Sequence, residues 1–275
     1  SPVPRTYFKY PFPRRALPQK MYTFCVSGDI QKFREALDSS RSFSDEFDIC
    51  ELSGIMIEAI KRKSSQFIKE LLRRGMPVDP LYAFEAIKVK AKDALEAFLD
   101  NGWDINQPIS ELKPPLLEYA VADEEMTAWL LDHEADPNRQ CVIDLTPLSL
   151  AVESAPISVI HLILSHGGNV QKGQLLHHAI ERPSDAIEVL KLPIEKGAPI
   201  NATVHEDYPS WALFQFMGLG TPLHRASKLE RVDVVRYLLS KGANQDIKYT
   251  KGHIPLECAQ MSNHLEVIQE LEKWK

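Results

Sequence analysis

The chain has 275 residues and a net charge of −6, with 44% hydrophobic and 25% charged residues. That balance is ordinary for a folded protein and supplies no strongly basic face for non-specific nucleic-acid binding. No apolar run reaches the ~18 residues of a membrane span, and the first residues lack the charged-then-apolar pattern of a signal peptide.

The four cysteines, Cys25, Cys50, Cys141 and Cys258, lie far apart with no C-x-x-C spacing. They read as buried thiols in a reducing compartment, which predicts a cytoplasmic or nuclear location.

In chain order, residues 1–18 come first, with five prolines among Tyr7, Phe8, Tyr10 and Phe12. Such a stretch cannot form a regular helix and is expected to run extended, as a cap on the first helices or as a ligand for an aromatic-lined groove. A helical hairpin is expected next, with Phe24-Cys25 in its first helix and Gly28-Asp29 at its turn. Ile30, Phe33 and Leu37 make its second apolar stripe. "SSRSFSDEFDICELSG" then reads as a surface excursion.

From there the chain repeats itself. Thr221-Pro222-Leu223-His224-Arg225-Ala226 is followed by Val234-Val235, Leu238-Leu239 and Gly242-Ala243-Asn244. The same order returns from Thr146-Pro147-Leu148 and from Ile254-Pro255-Leu256. Central alanines fall at Ala59, Ala86, Ala120, Ala151, Ala179, Ala226 and Ala259, at intervals of 27, 34, 31, 28, 47 and 33 residues. Each unit carries two stripes at i, i+3, i+4 spacing, which is helical, and neither helix can bury its stripe without neighbours. Thr-Pro caps and starts the first helix; Gly after the second supplies a residue with positive φ. These positions serve the fold, and no chemistry is assigned to them.

The pattern T-P-L-H…A…V-V…L-L…G-A-N over about residues 19–273 resembles the ankyrin repeat. The resemblance implies an all-α ankyrin-repeat solenoid of about eight stacked helix-turn-helix units with finger loops. It also implies a protein-binding function, as adaptor, assembly factor or inhibitor, through the concave face and finger loops. The expected layout is an N-terminal extension, 1–18, and one repeat domain, 19–275, with an insertion at about 203–219.

Several units depart from the pattern. Pro77 and Pro80 shorten the junction after the second. The fourth runs Ala122-Asp123-Glu124-Glu125-Met126 where a Gly turn is usual. Pro193 in the sixth is expected to kink or break its second helix. The 47-residue interval holds Tyr208, Trp211, Phe214, Phe216 and Met217. A loop so long is usually functional or disordered, and disordered segments are poor in aromatics. It is therefore expected to pack on the repeats or to anchor a partner; "ALFQFMG" could form a short helix.

The resemblance further implies that the positions two and three after each central alanine line the concave face. Lys61, Arg62 and Lys88 make its first part basic; Asp123, Glu153, Glu181 and Arg182 lead to an acidic middle; Lys228 follows. These residues, with Tyr208, Trp211, Phe214 and Phe216, are the expected partner-binding set, and a groove so polarised favours a partner of opposite polarity. The expected partner is another protein, with no nucleic acid and no membrane, and the chain is expected to be monomeric alone.

Catalytic and metal constellations are weak. His177-His178 diverge by about 100° on a helix and cannot chelate one ion together. The first sits where the repeat's histidine makes a structural hydrogen bond. No P-loop, G-x-G-x-x-G, G-x-S-x-G or H-E-x-x-H occurs, so no catalytic residue, cofactor or metal is expected. Cys258 is expected to face the groove and Cys25 the core. Asn106, Asn138 and Asn201 stand where similar proteins are hydroxylated. Rival readings are an enzyme or small-molecule binder with 203–219 as a lid, and the ankyrin part of a longer chain.

Overall fold

A computed structural model describes residues 16–41, 48–109, 115–140, 144–204 and 220–275. The N-terminal extension up to residue 15 and the aromatic set Tyr208, Trp211, Phe214 and Phe216 lie outside these described residues, as does the "ALFQFMG" helix. The chain divides into two compact units, parted between Asp104 and Ile105. Among the described residues both are built of α-helices joined by turns, with one short 3₁₀ segment.

Among its described residues the first unit holds three helical hairpins: α1 (Ala16–Ser27) with α2 (Ile30–Arg41), α3 (Ser53–Lys61) with α4 (Ser65–Arg73), and α5 (Pro80–Lys88) with α6 (Lys92–Asp100). First helices pack on first helices, α1 on α3 and α3 on α5; second helices do the same, α2 on α4 and α4 on α6. Ala59 and Ala86 have no exposed surface, and a larger side chain there would hold neighbouring inner helices apart. Phe33 and Phe67 meet edge to face at 5.1 Å between α2 and α4. The middle of the expected excursion after α2, residues 42–47, lies outside the described residues. α2 runs to Arg41, and a 3₁₀ turn, Ile49–Leu52, leads directly into α3 with Leu52 wholly buried.

Among its described residues the second unit holds five hairpins: α7 (Leu117–Ala120) with α8 (Glu124–Asp132), α9 (Pro147–Ser154) with α10 (Ile157–Ser165), α11 (Leu175–Ile180) with α12 (Ala186–Glu195), α13 (Pro222–Lys228) with α14 (Val232–Ser240), and α15 (Pro255–Met261) with α16 (Leu265–Lys273). Ala120, Ala151, Ala179, Ala226 and Ala259 are all buried at the centre of the row of first helices. Pro193 does not break its helix: α12 continues to Glu195 with Pro193 buried in its last turns. A proline loses one backbone donor there, and its own carbonyl accepts from Ala198 N at 2.9 Å in closing the helix end.

Thr-Pro starts act as expected. The Thr221 hydroxyl and amide meet His224 Nδ1 at 2.8 and 3.1 Å, and His224 Nε2 reaches the His253 carbonyl at 3.1 Å. At α9 the same place holds Ser149, whose hydroxyl donates to the Gly173 carbonyl at 2.7 Å. Asp79 caps α5 and Asp123 caps α8, each accepting a backbone N–H at 2.9 Å. Among the described residues no helix is long and apolar enough to cross a membrane.

Candidate partner-binding surface

In four hairpins the turn between the two helices closes on the central alanine. Ser64, Ala91, Arg231 and His264 donate their N–H groups to the carbonyls of Ala59, Ala86, Ala226 and Ala259 at 2.8 to 3.0 Å. The residue just before each donor, Lys63, Lys90, Glu230 or Asn263, is left-handed, with φ between 53° and 57°. This six-to-one bond with a left-handed residue is how helices commonly terminate. It throws the side chains two and three places after the alanine outward at the end of the first helix.

In the first unit those side chains are exposed. Lys61 and Lys88 end α3 and α5, and both are open to solvent. Lys88 Nζ also pairs with Glu85 at 3.0 Å and lies over the Phe84 ring at 5.4 Å. Arg62 pairs with Glu58 and reaches the Val26 carbonyl of the preceding hairpin at 3.4 Å.

The second unit uses the same positions differently. Glu153 accepts from His178 at 2.7 Å, and Glu181 accepts from Arg225. Each pair joins the residue two after one alanine to the residue one before the next, so the acids expected to meet a partner are bonded across neighbouring repeats. The His178 hydrogen bond holds the Glu153 carboxyl below its usual range. Lys228 continues the row, its Nζ 4.3 Å above the Tyr249 ring. Asp123 is committed to capping α8.

Arg182 departs from the expectation. Its guanidinium is buried, donating to the carbonyls of Val152 and Ala155 and gripping both carboxylate oxygens of Asp185 at 2.9 and 2.8 Å. Here the left-handed residue is Asp185, two places later than a regular turn would put it, and the arginine folds inward to meet it. Cys258 is likewise buried, its thiol pKa raised chiefly by burial. Cys25 lies in the core as expected, with burial and the nearby Glu58 carboxylate pushing its pKa up to about 11. Cys50 is exposed, against the reading that all the cysteines are buried.

Two features escape the sequence reading. Gly220 O accepts from both His177 Nε2, at 2.9 Å, and Val204 N, at 3.0 Å. In the next finger His253 O accepts from His224 Nε2 and from Tyr249 N at 3.0 Å. The 205–219 insertion thus departs from and returns to an ordinary finger base. The other feature is Glu118, at the place of His177 and His224 in α7. It is buried, neither carboxylate oxygen has a hydrogen-bond partner among the described residues, and burial raises its pKa to about 9.

The architecture is thus a helical-hairpin repeat whose inner polar positions serve the frame and whose turns face outward. Residues 176–273 match the family model of ankyrin repeats in three copies. The chain is 22% identical over 221 residues to an ankyrin repeat protein of fowlpox virus (strain NVSL), covering 72% of this chain and 32% of the viral one. It is 29% identical over 141 residues to alpha-latrocrustotoxin-Lt1a of Latrodectus tredecimguttatus, covering 49% of this chain and 9% of the toxin. The chain therefore spans a third or less of the length of these curated relatives. The crystal structure of the human ASB11 ankyrin repeat domain superposes with a TM-score of 0.51 at 21% identity, covering 80% of this chain and 82% of that one. The chain carries ankyrin repeats and has the ankyrin-repeat fold; such repeats are generally protein-interaction modules.

Proposed function

We propose that this chain is a non-enzymatic protein-binding module, an adaptor, assembly factor or inhibitor, that takes a protein or an extended peptide on its inter-helix turns and fingers. The observation that carries the reading is a contrast within one repeat register. In the second unit Glu153 and Glu181 are bonded to the next repeat, whereas in the first unit Lys61 and Lys88 end their helices exposed. Surface charge left outside the frame steers encounter with an oppositely charged partner. The insertion, with Tyr208, Trp211, Phe214 and Phe216, is the second proposed contact, because aromatic side chains dominate interface hot spots. Lys228 adds a cation near it in sequence. The proposed setting is the cytoplasm or nucleus, with the chain monomeric until it meets its partner.

The test is affinity capture from a native extract with three baits of matched thermal stability. These are the wild type, a Lys61→Glu/Arg62→Glu variant, and a variant whose residues 205–219 become a short Gly-Ser loop. Keeping Val204 and Gly220 preserves the finger base. A partner bound by the wild type and lost in a salt-dependent way by the charge variant supports the turn surface. A partner lost only by the loop variant assigns recognition to the insertion. Capture of nothing by the wild type sinks the proposal.

A further inference from the structure

Three of the large apolar side chains exposed among the described residues stand on the last two inter-helix turns of the second unit. Met261, 70% exposed, ends α15; Leu265, 61% exposed, begins α16; Leu229, 36% exposed, caps α13. The two turns lie side by side. α13 packs on α15, and His264, between Met261 and Leu265, sets its Nδ1 3.0 Å from the Ser227 carbonyl in the last turn of α13. The fold does not call for apolar groups at two of these places. The place of Met261 holds Glu153, Glu181 and Lys228 in α9, α11 and α13, and that of Leu229 holds Ser154, Arg182 and Ser262 in other hairpins. Leu265 continues the register of Ile157 and Val232, which are half-buried, and is itself left open.

The unengaged charge beside this patch has one sign. Lys228 Nζ is held 4.3 Å above the Tyr249 ring. Arg231 donates to the carbonyls of Ile180 and Arg182 at 3.0 and 2.7 Å and lies 3.7 Å from Asp233. Both cations of the turn after α13 are thus taken up by the frame. Glu230, next to Leu229, and Glu266, next to Leu265, are exposed, and their carboxylates have no hydrogen bond or ion pair among the described residues. An apolar patch with free carboxylates at its rim is complemented by apolar side chains flanked by cations.

The backbone of the turns decides the form of that complement. An added strand gains its affinity from an open backbone edge. Here Arg231 and His264 close both turns by donating to the Ala226 and Ala259 carbonyls, so the patch offers side chains and no ladder. A helix arrives with its own backbone bonds made and reads a surface through apolar anchors at i, i+3, i+4 and i+7. The outer pair of anchors is about 10.5 Å apart, close to the about 8–10 Å between packed helices. We propose that Leu229, Met261 and Leu265 dock a basic amphipathic helix of a partner protein, with its Lys or Arg residues against Glu230 and Glu266. The proposal rests on the protein-binding function proposed for the chain and adds a surface other than that of Lys61 and Arg62.

The experiment titrates the whole chain into three fluorescent peptides. One is a Leu-Lys peptide with Leu at helical spacing, one has the same composition with Leu and Lys alternating, and one keeps the helical spacing with Glu for Lys. The first should bind about tenfold tighter than the others and weaken with added salt. Met261→Ser/Leu265→Ser should lower its affinity about tenfold, and Glu230→Gln/Glu266→Gln should remove most of the salt dependence. All four side chains are exposed, so Tm should stay near that of the wild type, which separates lost binding from lost folding. Equal binding of the first peptide to the wild type and both variants overturns the proposal, because the chain's net negative charge then holds it elsewhere. Tightest binding of the alternating peptide overturns the helix, and tightest binding of the acidic one overturns the charge complementarity. Self-association of the chain alone in light scattering, abolished by Met261→Ser/Leu265→Ser, gives the patch to a second copy and overturns the proposal too. If no peptide binds while the wild type still captures a partner that depends on Lys61 and Arg62, the amphipathic-helix surface falls and the protein-binding function stands.

Discussion

Arg236 Nη2 lies 2.9 Å from Glu270 Oε2, repeating the register of Arg34 Nε, 3.1 Å from Glu70 Oε2. In both cases an arginine on one second helix clasps a buried glutamate on the next, eleven places after that repeat's central alanine. Glu70 also takes Arg73 and Arg74 from its own helix, and Glu270 takes Lys273 and the Trp274 indole N–H. For Glu70, burial pushes its pKa up, but the three guanidiniums overrule it and hold it at about 2. For Glu270 the Arg236 bond leads, and the value is again about 2.

These depressed values give an acid dependence. A carboxylate at about 2 in the folded chain and near 4.5 unfolded stabilises fully above pH 4.5 and loses that contribution as the pH falls toward 2. Glu70→Gln should cost on the order of 2 kcal/mol at pH 7, with Glu270→Gln costing less, because its arginine is more exposed. Urea unfolding at pH 7 and at about pH 2.5 checks this. The gap between wild type and Glu70→Gln should close at the lower pH, and a gap of equal size at both would refute the clasp.

Glu118 works in the opposite sense. Its folded pKa, about 9, lies above the unfolded value, so the folded chain keeps a proton that the unfolded chain releases. Stability from this site is greatest below pH 4.5 and declines as the pH rises toward 9. Glu118→Gln keeps the shape without the ionisation. It should stabilise by at most about 2–3 kcal/mol at pH 7, with an advantage that grows from about pH 5 to pH 8. A variant less stable than wild type at the upper end of that range would mean that the carboxylate is charged and bound in the folded state.

The left-handed turns predict a smaller gain. Glu230, φ 57°, has an exposed side chain and closes the turn after α13. Glu230→Gly removes the steric conflict of a β-carbon in that conformation at some cost in unfolded-state entropy, for a net gain of about 0.5–1 kcal/mol. Thermal unfolding should register a small rise in Tm; a fall would show that the Glu230 carboxylate holds something the turn needs.

The alanine register and the paired helical stripes were legible because they repeat. Every central alanine lies buried where its spacing put it, and His177 makes the kind of carbonyl bond its T-P-L-H position implied. What failed was the assumption that one register has one environment. Arg182 stands three after its alanine like Arg62, yet Asp185 draws it inward. Glu153 and Glu181 stand two after theirs like Lys61, yet His178 and Arg225 of the next repeat take them. The signal was present in the residue before the following alanine. It matters only once two helices are packed side by side, which a reading along one repeat does not supply. Pro193 misled for a similar reason: packing kept α12 helical past a residue that local propensity disfavours.

The finger base supplies the last prediction. His177 and Val204 converge on the Gly220 carbonyl, and a β-carbon on Gly220 would stand 2.8 Å from His224 Cβ. Of the two residues that frame the insertion, Val204 is therefore held by its hydrogen bond to Gly220, and Gly220 by the two bonds it accepts and by its close approach to His224. His177→Ala removes one of two donors and should cost about 1 kcal/mol, with faster amide exchange at Val204 as the base loosens. His224→Ala removes the cap of α13 as well as its carbonyl bond, and should cost about 2–3 kcal/mol. Gly220→Ala presses on buried His224 and should cost about 1–3 kcal/mol. Hydrogen exchange on the three variants separates these routes: His177→Ala should loosen Val204 alone, whereas the other two should also expose the amides of the first turn of α13. If Val204 exchanges at the wild-type rate in His177→Ala, the insertion is held by contacts of its own and the finger base is not its anchor.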